Sequence, residues 1–117
     1  MTCRETTLAL RAFALSLPGA YEDTPWETYV AKVNKKIFVF FSGDAEAELS
    51  VRFIVKLPLS GSFALNFPFT RPSGYNLGKS GWVAINFPPG DDPPLDIFQD
   101  WIVESYRTIA PKKLWCT

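Results

Sequence analysis

The sequence predicts an α+β fold, in the order α-β-β-β-α-β(-β)-α, with N- and C-terminal helices packed on an antiparallel sheet. Three observations lead there. Both ends of the chain carry apolar residues at steps of three and four, the period of a helix with one buried face. The segments between them alternate, or run apolar, over the length of a strand. The breaks are short and rich in Gly, Pro, Asn and Asp. With 117 residues, 47% of them hydrophobic and 15% aromatic, the chain is expected to form a single domain spanning 1–117. A domain of that size buries roughly two-thirds of its unfolded surface.

The first helix is read in TCRETTLALRAFALSLPG. Thr2 and Glu5 stand at capping-box spacing, so each side chain can satisfy a backbone donor of the other. Leu8, Ala12 and Leu15 form one apolar row, and Leu10, Phe13 and Leu17 a second. Pro18–Gly19 stops the helix, because proline cannot continue the hydrogen-bond ladder.

Three strands follow. Glu27–Val33 places Tyr29, Ala31 and Val33 on one side, and Asn34–Lys35 is the hairpin signal after it. Lys36–Phe41 is apolar on both faces, which suits a central strand. Leu49–Lys56 alternates, with Leu49, Val51, Phe53 and Val55 inward and Ser50, Arg52 and Lys56 outward. PLSGSFALNF reads as a short, poor helix, weakened by Gly61 and its two serines. Trp82–Phe87 is the next strand, and PPGDDPP a rigid linker. In the last helix Leu95, Phe98, Ile102, Tyr106 and Ile109 recur at three and four. Asp96 and Asp100 begin it and Arg107 ends it, the arrangement that complements a helix dipole.

Several chemistries are excluded by composition. There is no histidine, so the commonest general base and metal ligand are both missing. Cys3 and Cys116 lack metal-site spacing, and two reduced thiols in a cytoplasmic protein are a better expectation than a bridge between the termini. The acidic groups Glu22, Asp23 and Glu27, and Asp91, Asp92 and Asp96, are better explained as solvated loop charge and helix capping than as catalytic pairs. No cofactor and no enzymatic activity are expected. No apolar run approaches the ~20 residues that span a bilayer, so no membrane partner is expected either.

RPSGYNLGKSGWVAI, residues 71–85, is the most unusual stretch. Gly78–Lys79–Ser80 resembles the end of GxxxxGK[ST], but Gly74 stands one place too near. No strand precedes it and no long helix follows, as phosphate cradling requires. It reads as two turns that launch the Trp82 strand. Basic residues are the remaining candidates. Lys32, Arg52 and Lys56 can share the outward sheet face, and a loop bearing Arg71, Tyr75 and Lys79 can extend it. Cations interleaved with aromatics are what a nucleic-acid surface offers. Against it, 12 basic residues are balanced by 12 acidic ones, whereas dedicated nucleic-acid binders carry a positive excess. Asp44, Glu46 and Glu48 also lie beside these strands.

LSLPGAYEDTPWETYVAKVNKKIFVFF, VKLP, GYNLGKSGWV and IAPKKL occur in an order and spacing that resemble the MmcQ/YjbR-like family of small bacterial proteins, from Leu15 to Leu114. The resemblance implies an α+β, secretion-chaperone-like fold and a label of DNA binding through a double-wing arrangement. Some members carry histidines and a further basic residue where this chain has Asn76, Ser80 and Gly81, while Tyr75, Lys79 and Trp82 keep the pattern. The departure removes cationic groups from a DNA contact. Expected partners are therefore weakly bound DNA or another protein, through Lys32, Arg52, Lys56, Arg71, Tyr75 and Lys79. The expected protein is a cytoplasmic monomer or homodimer.

Overall fold

A computed structural model describes residues 3–23, 29–41, 50–72, 81–88 and 92–114. The elements are α1 (Cys3–Ser16), β1 (Tyr21–Asp23), β2 (Val30–Val33), β3 (Lys36–Phe41), β4 (Val51–Lys56), α2 (Gly61–Ala64), β5 (Thr70–Pro72), β6 (Trp82–Phe87) and α3 (Leu95–Ile109), followed by a 3₁₀ turn at Lys112–Leu114. The six strands form one antiparallel sheet in the order β1-β2-β3-β4-β6-β5. The α+β architecture, with helices from both ends of the chain on the sheet, is the one the sequence predicts.

Local chemistry explains most elements. Asn34 and Lys35 adopt φ values of 52° and 67°, the left-handed pair of a two-residue hairpin whose twist matches its strands. Val51, Phe53 and Val55 are buried while Arg52 is exposed, as period-two alternation demands. Gly81 takes φ +90° immediately before β6, and its carbonyl accepts the Leu57 amide at 2.8 Å. A side chain at that φ would be strained.

Four features depart from the expectation. Arg71 and Pro72, read as the start of a turn with no strand before it, belong to strand β5, held by pairing with Ala84 and Val83 of β6. β1 was not predicted: its three residues hold through pairing with β2 rather than through any propensity of their own. The buried face of α1 is Cys3, Thr6, Thr7, Leu10 and Ala14, while Leu8 and Ala12 point to solvent. Small residues let α1 approach α3 closely, and the Thr7 hydroxyl is satisfied by donating to the Cys3 carbonyl at 2.9 Å. The middle helix shrinks to the four residues of α2. Cys3 is a free, buried thiol directed at the Phe87 and Pro88 carbonyls. Thr2, Glu27, Leu49 and Cys116 lie outside the described residues.

α3 supplies the core. Phe98, Trp101, Ile102, Ser105 and Tyr106 are buried along one side of it. Phe98 is completely buried and meets Phe53, Phe69, Phe87 and Trp101 at ring-centroid distances of 5.1, 5.9, 6.0 and 5.8 Å. Tyr106 packs edge-on against Phe38 and donates its hydroxyl to the Pro18 carbonyl, fixing the chain as it leaves α1.

Ser105 repairs a break in the sheet. The register between β2 and β3 shifts between Ala31 and Lys32, so that Phe38 is the extra residue of a bulge. Consecutive Phe38 and Val39 are both fully buried, as a bulge permits. β3 and β4 are in register only over Val39–Phe41 and Phe53–Val55. Beyond it, the buried Ser105 hydroxyl donates to the Phe38 carbonyl and accepts the Lys56 amide at 2.9 Å.

Candidate functional site

The helices leave the opposite side of the sheet free of any described helix. Alternation assigns that side from the register. One row across it is Val30–Phe40–Ile54–Ala84–Arg71, from β2 to β5. Arg52 pairs with Asn86 on one side of this row, and Lys56 pairs with Trp82 on the other. The row opens along its length: Val30 is fully buried, Phe40, Ile54 and Ala84 are half-buried, and Arg71 is exposed.

Phe40 and Trp82 meet over β4 with ring centroids 5.5 Å apart and planes at 71°. The outward face thus has an aromatic centre, with Arg52, Lys56 and Arg71 around it. Four of the six candidate residues, Lys32, Arg52, Lys56 and Arg71, fall on this face. Tyr75 and Lys79 lie outside the described residues, as do Asp44, Glu46 and Glu48. The partner of Lys32 is clear. Lys32 is ion-paired with Asp23 at 2.7 Å, and that hydrogen bond raises its pKa by favouring the charged form. Its charge is already answered on the β1 side of the sheet.

Glu22 and Asp23 are not loop charge, as the sequence suggested, but β1 residues with fixed partners. Glu22 accepts the Tyr29 hydroxyl at 2.5 Å, and the Arg11 guanidinium lies 3.5 Å above the centre of the Tyr29 ring. Burial, followed by the Glu22 hydrogen bond and charge, pushes the Tyr29 phenol up. These groups are occupied with holding α1, β1 and β2 together. Among the described residues, no group of three His, Cys, Asp or Glu side chains could hold a metal ion.

Phe40, Trp82, Ile54 and Asn86 are site residues that sequence reasoning missed. Their signal was present. KIFVFF is apolar where an alternating strand would turn polar, a pattern that a central position alone also explains. A hollow of about 470 Å³ adjoins Asn86, walled by Ser50, Pro68, Phe69, Phe87 and Pro88. Arg71 and Thr70 line a smaller one of about 160 Å³ beside it.

A six-stranded antiparallel sheet, backed by helices on one side and lined with cations and aromatics on the other, defines an α+β protein with one sheet face that no described helix covers. The chain belongs to the YjbR family, whose model matches residues 15–108, a span that contains all six strands and nearly all of α3. No curated protein matches it. Among the described residues, no helix is long and apolar enough to cross a membrane.

Proposed function

We propose that this is a non-enzymatic binding domain whose open sheet face takes nucleic acid, with phosphates on Arg52, Lys56 and Arg71. One observation carries it: strands β2 to β6 hold Lys32, Lys36, Arg52, Lys56 and Arg71 and no carboxylate at all. Among the described residues, acidic groups sit on β1, on α1 and α3, and at Asp92. Although the formal charge is zero, charge is segregated among the described residues, and a local field of one sign is enough to gather a polyanion. Affinity is modest, since only about three phosphates are neutralised. A cytoplasmic setting suits the free thiol of Cys3.

The experiment is a salt titration of a labelled DNA by fluorescence anisotropy. With three contacts, log affinity should fall against log salt with a slope of about −2 to −3, and Arg71→Ala should reduce the slope by about 1. Absence of binding at low salt, or a flat salt response, overturns the proposal.

A second proposal rests on α2. Leu59, Phe63 and Leu65, in and around α2, are 87%, 61% and 41% exposed. Such a patch suits a partner protein or a second copy. Light scattering of the wild type and of Leu59→Ser/Phe63→Ser distinguishes a dimer through this patch from a monomer.

A further inference from the structure

We infer that the nucleic acid held on the open face is single-stranded, with unpaired bases against Trp82 and Phe40. The inference rests on the nucleic-acid proposal above and names its substrate class. A duplex keeps its bases stacked inside and offers a sheet its phosphates and groove edges; a ring finds a base face there only by unstacking a step, at an energetic cost. An unpaired strand offers base faces as well, and each base stacked on an aromatic side chain strengthens binding whatever its identity.

The geometry fits the second ligand. Trp82, at the start of β6, and Phe40 on β3 are half-buried rings that meet across β4, fixed edge-to-face so that they need no ordering on binding. Along β4, Arg52 and Lys56 stand on either side of Ile54, separated by about 13 Å at the rise of a strand. Cations thus lie at both ends of the aromatic centre, where the phosphates of a strand crossing β4 would pass. Arg71 adds a third at the β5 edge. Asn86 is exposed in the Arg52 row. Its amide can both donate to and accept from a base edge.

The test compares a labelled twelve-nucleotide single strand, as DNA and as RNA, with the duplex of the same sequence at one low salt concentration. The expected result is at least tenfold tighter binding of the single strand in one of the two arms. Trp82→Ala should weaken that binding by about tenfold to a hundredfold and leave duplex binding unchanged, while Trp82→Phe stays near wild type. Trp82→Leu keeps apolar bulk against Phe40 but has no ring face; it should show the same loss should the alanine variant fail to fold. Duplex binding equal to or tighter than single-strand binding, or Trp82 variants without effect, overturns the inference and leaves the nucleic-acid proposal standing. No binding of either form overturns both.

Discussion

Replacing Ser105 by alanine should be among the most damaging single-atom deletions in this fold. The hydroxyl stands in for a missing rung between β3 and β4, serving the buried Phe38 carbonyl and the part-buried Lys56 amide together. Alanine leaves both without that partner, in a site where Ser105 is itself 0% exposed. A buried polar group left unpaired costs about 1–3 kcal/mol. The carbonyl should fall near the middle of that range and the partly wetted amide near the bottom, giving about 3 kcal/mol in all. For a chain of this length the corresponding fall in Tm is roughly 8–12 °C. Urea unfolding should show a lower midpoint with unchanged slope, the mark of lost stability rather than an altered unfolded state. Thr108→Ala is the control, because its exposed hydroxyl only back-bonds to Glu104 within α3, and it should stay within ~0.5 kcal/mol of wild type. A Ser105→Ala protein as stable as that control would refute the bridging role.

Phe98→Ala removes the ring on which Phe53, Phe69, Phe87 and Trp101 converge, and should cost about 3–5 kcal/mol by chemical denaturation. Stability should also fall at alkaline pH. The Tyr29 and Tyr106 phenols are raised above their ordinary 10.0, Tyr29 chiefly by burial with help from Glu22 and Tyr106 by burial alone. The folded state therefore holds its phenolic protons at a pH where the unfolded chain has begun to lose them. Their contribution is complete below pH 10 and drains away as pH rises through the folded values. Urea midpoints measured between about pH 9 and 12 should decline, and less steeply in Tyr29→Phe/Tyr106→Phe.

Elements with a strong local pattern were legible in the sequence. The Asn34–Lys35 hairpin, the alternation of β4, the bounds of β6 and the apolar row of α3 all follow from period and turn chemistry. β1 was not legible because Tyr21–Asp23 has no strand pattern; it exists through Asp23–Lys32, Glu22–Tyr29 and the backbone of β2, which are contacts made only after folding. The face of α1 was legible in part: Leu10 is buried and Phe13, Leu15 and Leu17 pack against the core, but Cys3, Thr6, Thr7 and Ala14 complete the buried side in place of Leu8 and Ala12. Ser105 was invisible: a serine within a helix reads as polar surface until the gap it fills is known. At the candidate site, the cations were legible because period two sends Arg52 and Lys56 to one side. The aromatic half was not, since an apolar residue on the open face looks like core in one dimension.

The two rims of the sheet have a consequence of their own. β1 and β5 are three residues each, β5 ends in Pro72, which has no N–H to offer, and β1 carries Glu22 and Asp23. Short, charged or proline-bearing borders give a passing extended chain little backbone to pair with, and so protect the molecule from fibrous self-association. They also close the route by which many small sheet proteins capture peptides, the addition of one more strand. On the binding reading proposed above, recognition on this sheet would rest on side chains, and its selectivity could drift by surface substitution while the hydrogen-bonded framework stays untouched.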